Sequence, residues 1–141
     1  MRGLVLVAHG SRRAAANAEV GELTQRMAQQ VGARYGVVTH GFLEMAQPDI
    51  PSAIQQAIDA GATEVIIVPY FLSAGRHVTE DIPRIVRCKQ DEYPVVPMII
   101  APYLGSTATI PDLLLGLAER IVRSQKQDVD DQVASSVSQR S

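Results

Sequence analysis

Leu4-Val5-Leu6-Val7-Ala8, followed at once by His9-Gly10-Ser11-Arg12, is the stretch on which the fold turns. Five apolar residues are too few for a helix. They do not alternate with polar residues, which suits a strand covered on both faces of a parallel sheet. Residues 37–42, 65–69 and 95–101 share that character. Between and after these runs lie helical spacings. Val20, Leu23, Met27 and Val31 form one; Ile50, Ile54 and Ile58, closing at Gly61, form a second. Ile82, Ile85 and Val86 mark a third, and Ile110, Leu113, Leu114, Leu117 and Ile121 a fourth. The order βαβαβαβα predicts an α/β fold: a four-stranded parallel sheet with helices on both faces and right-handed crossovers. Asp49-Ile50-Pro51 and Asp81-Ile82-Pro83 each open a helix, with Asp complementing the helix dipole and Pro lacking an N–H the first turn does not need. After residue 123 the periodicity stops, so residues 124–141 are expected to be a flexible tail on a domain of residues 1–123.

Composition narrows the function. The chain has 141 residues, 46% of them hydrophobic, and a net charge of -2. That is enough for one core, and it lacks the basic footprint of a nucleic-acid binder. No run approaches the roughly 20 apolar residues that span a bilayer, and no signal peptide precedes the first strand, so a cytoplasmic protein is expected. Cys88 is the single cysteine. It cannot form a disulfide within the chain or a multi-cysteine metal centre.

In an open parallel sheet, ligands bind beyond the carboxyl ends of the strands. There the sequence places His9-Gly10-Ser11-Arg12, Glu44, Ser73-Ala74-Gly75-Arg76-His77 and Tyr103-Leu104-Gly105-Ser106-Thr107. If these loops share a rim, His9, Glu44 and His77 come together. Two imidazoles and a carboxylate suit a divalent metal such as iron, cobalt or nickel. An imidazole can instead take a proton near neutrality, and Glu44 can bind metal, take a proton or orient a histidine. Gly10 and Gly75 keep bulk away from the histidines. Ser11, and Ser106 or Thr107, are candidate helix N-caps, which would aim two anion-attracting helix ends at the rim. Arg12, Arg13 and Arg76 add positive charge, so the ligand implied is a metal with a polyanionic organic molecule. Taken singly, each residue has a plainer reading. A histidine at a strand end is usually structural, Glu44 can be a solvated loop residue, and exposed arginines are common. His40 is expected to be a hydrogen-bonded core histidine and Met45 a packing residue, while Tyr70 and Phe71 can wall a cleft or fill the core. There is no G-x-G-x-x-G, P-loop, H-E-x-x-H or G-x-S-x-G pattern.

Three blocks carry a family resemblance: Val7-Ala8-His9-Gly10-Ser11-Arg12, Phe42-Leu43-Glu44-Met45-Ala46-Gln47-Pro48-Asp49-Ile50-Pro51, and the run from Pro69 through Ser73-Ala74-Gly75-Arg76-His77-Val78-Thr79-Glu80-Asp81 to Ile82-Pro83. Together they resemble the small, single-lobe sirohydrochlorin cobaltochelatases and ferrochelatases of the class II chelatase family, over residues 1–122. The resemblance implies a three-layer chelatase-like lobe. It implies insertion of Co²⁺, Fe²⁺ or Ni²⁺, as substrate, into sirohydrochlorin, an eight-carboxylate tetrapyrrole, without ATP or an organic cofactor. By position, His9 and His77 match the family's metal-site histidines and Glu44 its acidic partner. Ser11, Arg12, Tyr70, Ser73 and Arg76 are then the residues expected to hold substrate. Larger relatives join two lobes in one chain, so one lobe implies a homodimer enclosing the tetrapyrrole, with no nucleic-acid or membrane partner. Three other readings compete: a metal or tetrapyrrole carrier without turnover, a histidine phosphatase-like enzyme, and a regulatory α/β module. The phosphatase reading meets Ala8 where that class has an arginine.

Overall fold

The computed structural model describes residues 1–140. Its elements follow the expected alternation: β1 Arg2–Ala8, α1 Ala14–Val31, β2 Val37–Phe42, α2 Ile50–Asp59, β3 Glu64–Pro69, α3 Ile82–Glu92, β4 Met98–Ile100 and α4 Ile110–Arg140. The strands form one parallel sheet in the order β2-β1-β3-β4. β1 is therefore central. The chain leaves it towards one side to make β2 and returns on the other to make β3, which puts the topological switch point at the carboxyl end of β1.

Alternate β1 residues serve opposite faces. Val5 and Val7 join Val65 and Ile67 in a core closed by Ile50, Ala53, Ile54 and Ala57 of α2 and by Ile82 and Val86 of α3. Gly41 lets α2 lie close, because a β-carbon there would meet the Ala53 methyl at 2.9 Å. Leu4 and Leu6 belong to the other face, as does His40, which pairs in register with Leu6. Gly21 of α1 approaches His40 on that side, a β-carbon there lying 3.7 Å from the imidazole. Helices thus lie on both faces, as expected.

The expected run at residues 95–101 shortens to Met98–Ile100. Val95 is 88% exposed, the Val96 N–H turns back to the Tyr93 carbonyl, and Pro97 has no N–H to give a ladder. Gln90 occupies the gap, donating to the Tyr93 and Val96 carbonyls and accepting from the Met98 N–H. Burial on both faces also fails at β4, where Ile99 is half exposed.

Asp49 caps α2, accepting from the Ser52 N–H at 2.9 Å, with Pro51 in the first turn. Gly61 has φ +105, the conformation expected of a glycine after a helix. Lys89 is buried between α2 and α3. It donates to Gln55 Oε1 at 2.7 Å and Glu92 Oε2 at 3.2 Å, and lies 5.2 Å from the centre of the Tyr93 ring. This network ties α3, which continues from the turn that carries His77, to α2.

Met1–Ser106 forms one compact unit and a second begins at Thr107. Considered by itself, the second unit is α4. Past residue 124, where a flexible tail is expected, the helix runs on to Arg140, and Ser141 lies outside the described residues. The reason is local. No Gly or Pro interrupts residues 117–140, and Val129, Val133 and Val137 fall on a four-residue helical repeat. Gln127 Nε2 donates to Asp131 Oδ1 one turn on, at 2.9 Å. Leu113, Leu114, Leu117 and Ile121 are all exposed. No helix among the described residues is long and apolar enough to cross a membrane.

Candidate functional site

Strand order decides who meets whom. His9 follows the central strand, Glu44 the strand on one side and His77 the strand on the other. His9 is thus the middle member. Its ring centre lies 4.9 Å from that of His77, with the planes inclined at 56°, and its Nε2 is 3.0 Å from Glu44 Oε1. All three side chains are partly exposed, as a site open to an incoming ligand requires.

Backbone contacts hold the pair from below. The Leu43 N–H donates to the Ala8 carbonyl and the Glu44 N–H to the His9 carbonyl at 3.0 Å, so the loop after β2 is laid along the loop after β1. Gly10 has φ +95, and a β-carbon there would overlap the Glu44 carbonyl oxygen. What Gly10 makes room for is the backbone of the loop after β2 rather than a histidine ring. Gly75 differs, because nothing lies within 4 Å of the place its β-carbon would take. Met45, expected to pack, is exposed and has φ 66, a conformation uncommon for a residue with a side chain.

Each histidine is anchored through Nδ1. His9 Nδ1 donates to the Gly10 carbonyl at 3.0 Å, and His77 Nδ1 donates to Asp81 Oδ2 at 2.8 Å. Both Nε2 atoms are left as the working positions. That of His9 faces Glu44, and that of His77 has no hydrogen-bond partner among the described residues. The sequence reading missed Asp81 at the site, taking it only as complementing a helix dipole. Its signal was the four-residue spacing from His77, one helical turn.

His77–Asp81 forms a π-helical turn that continues into α3, the Ile82 N–H reaching back to the His77 carbonyl. Such turns recur at functional sites because the extra residue displaces a side chain from the regular helical path.

The residues expected to hold substrate are more scattered. Arg12 and Ser73 are exposed. Arg76 is 81% exposed and lies 3.6 Å from Glu80, a weak solvated pair that leaves its cation available. Ser11 is not the N-cap of α1; that position falls on Arg13, whose side chain makes no cap bond. Instead Ser11 Oγ accepts from the Arg13 N–H, and the Asn17 side-chain amide clasps the Ser11 N–H and carbonyl. Asn17 was not anticipated from the sequence. Ser106 Oγ donates to the Tyr103 carbonyl, closing a short 3₁₀ turn. Tyr70 lines a cavity of about 430 Å³ with Ala16, Glu19, Val20, Leu23 and Arg26, a lining that includes neither histidine. His40 makes no hydrogen bond through its ring among the described residues and packs edge-on against Phe42, centres 5.4 Å apart. Burial holds its imidazole below the ordinary histidine range. Among the described residues, no three His, Cys, Asp or Glu side chains are grouped so as to hold a metal ion on their own.

Known proteins share this fold. The model of the CbiX family matches residues 3–122. The sirohydrochlorin cobaltochelatase of Methanocaldococcus jannaschii is 40% identical over 95 residues, 66% of this chain and 64% of that protein, so the chain spans less than two thirds of its length. Among solved structures, a CbiX protein of Marinobacter aquaeolei superposes with a TM-score of 0.67 at 25% identity, covering 91% of this chain and 98% of that one. The sirohydrochlorin chelatase SirB of Bacillus subtilis, in complex with cobalt, gives 0.66 at 25% identity over 72% of this chain and 43% of that one. The matched span takes in β1 through α3 with all three loops of the rim, and the chain belongs to the CbiX family.

Proposed function

We propose that this protein is a sirohydrochlorin chelatase. It inserts a divalent metal, Co²⁺ foremost with Fe²⁺ and Ni²⁺ as alternatives, into the tetrapyrrole without ATP, in cobalamin or siroheme biosynthesis. Residues 1–123 carry the catalytic domain, and a cytoplasmic setting accords with the unpaired Cys88. The observation that carries the reading is the contact between His9 and His77 beside Glu44, at the switch point of a parallel sheet. The name of the Methanocaldococcus relative and the cobalt bound to SirB favour Co²⁺.

The metal is substrate here, and an ion that must be handed on is served by an open, partial set of ligands. In this mechanism the two imidazoles and Glu44 receive the metal on one face of the ring. Glu44, partly exposed beside His9, accepts the pyrrole N–H protons as metal replaces them, a transfer for which a carboxylate at the rim is suited. Arg12 and Arg76 attract the substrate carboxylates, with Ser11, Ser73 and Tyr70 as further contacts.

A tetrapyrrole resting on one lobe leaves its other face open, so the working unit is a homodimer. The apolar side chains exposed on α4 support this, being surface that a second copy would cover.

Incubation with sirohydrochlorin and Co²⁺, followed by absorption spectroscopy at catalytic protein concentration, tests the reading. Multiple turnovers are expected, with His9→Ala and His77→Ala each lowering kcat/KM by at least about 100-fold, beyond what loss of a supporting residue costs. Arg12→Ala and Arg76→Ala should raise KM with little change in kcat. Spectral change that stops at one equivalent would make the protein a carrier, and an unchanged rate in the double histidine variant would dismiss the site.

A further inference from the structure

We infer that Asp81 is the positioning residue of the site: it fixes the tautomer of His77 so that Nε2 presents a lone pair to the incoming metal. The inference rests on the chelatase reading and adds to it the device that readies one histidine.

The two histidines face the same requirement in different backbone settings. An imidazole that is to offer Nε2 as a lone pair must keep its hydrogen on Nδ1, and an acceptor at Nδ1 secures that. His9 lies in an extended loop, where the Gly10 carbonyl is at hand at 3.0 Å. His77 opens a helical segment, and its own carbonyl is taken by the Ile82 N–H in the π turn. A side-chain acceptor does the work instead. Asp81, four residues on, projects along the same face of the segment, and its Oδ2 lies 2.8 Å from Nδ1. A carboxylate only accepts here, so the hydrogen between them belongs to the imidazole.

The neighbouring carboxylate is not equivalent. Glu80 is turned to Arg76, at 3.6 Å, and is mostly solvated. The Asp81 side chain is only 24% exposed, and its second oxygen accepts from Arg84 at 3.3 Å, which limits its rotation. The arrangement is a carboxylate–histidine pair with Nε2 free, the form in which outer partners orient metal-binding histidines.

The test separates tautomer from turnover. Long-range ¹H–¹⁵N spectra of the metal-free protein, taken above the ordinary histidine titration range, report which nitrogen of His77 carries hydrogen. Wild type should show it on Nδ1, and Asp81→Ala should move it mainly to Nε2. Titration with Co²⁺ alone should show the dissociation constant of Asp81→Ala rising about 10- to 100-fold. Asp81→Asn, which can still present an amide oxygen to Nδ1, should keep the wild-type tautomer and most of the affinity. Thermal melting checks that the variants fold; if Asp81→Ala does not, the wild-type tautomer and the Asp81→Asn comparison decide. Hydrogen on Nε2 in wild type, or an unchanged tautomer and Co²⁺ affinity in Asp81→Ala, would overturn the proposal. If the tautomer responds as stated while wild type inserts no Co²⁺ into sirohydrochlorin, the chelatase reading falls and the positioning role of Asp81 stands.

Discussion

A methyl group at Gly10 would meet the Glu44 carbonyl oxygen, and the backbone there is already in a region that side chains disfavour. Gly10→Ala should therefore cost about 1–3 kcal/mol of stability by chemical denaturation. It should also lower metal insertion more than tenfold, because the loop that carries Glu44 must move off His9. Gly75→Ala is the matched control, with open space at its β-carbon, and should leave both quantities near wild type. The contrast shows how far single residues were legible. Both glycines sit near a histidine, and from sequence they read alike. Only the packing of one loop on another tells the obligatory glycine from the permissive one. The same holds for Asp81: its spacing from His77 was visible, but its bond to Nδ1 depends on the π turn, which no periodicity announced.

At the level of elements, local signals did most of the work. Asp49 and Pro51 mark the start of α2, and the structure places the cap there. The hydrogen bonds from Ser52 hold the Asp49 carboxyl below its ordinary range. A lowered folded-state value means the cap stabilises above the unfolded carboxyl value, about 3.9, and that stabilisation is lost as pH falls through the folded one. Asp49→Ala should thus lower stability by about 1 kcal/mol in urea titrations at neutral pH, and the gap to wild type should close in strong acid. Where an element's limits depended on partners, the sequence misled. Residues 95–97 are as apolar as a strand, yet their link to the sheet is the Pro97 carbonyl, which accepts from the Val65 N–H; Gln90 takes the Val96 carbonyl and Pro97 has no N–H to extend the ladder. Helix α4 loses its apolar periodicity at residue 123 because its later residues are polar, yet no Gly or Pro interrupts the run and the helix continues to Arg140.

For the whole molecule, the proposed pairing of two lobes makes oligomeric state the quantity to measure. Light scattering should give twice the mass of the chain, and specific activity should fall when the protein is diluted below the dimer dissociation constant. A fully active monomer would reject the pairing. Leu114→Glu with Leu117→Glu, both at exposed positions, should weaken the dimer and lower activity together. By itself the sequence determined the αβ alternation, the buried parallel strands, and the placing of histidines and a glutamate at strand ends, because periodicity and strand-end chemistry are local. Only the tertiary structure decided that β1 lies between β2 and β3, and hence that His9 bonds Glu44 on one side and meets His77 on the other. Strand order is set by how crossovers pack their helices on the sheet, and that is a property of distant contacts rather than of any one stretch of residues.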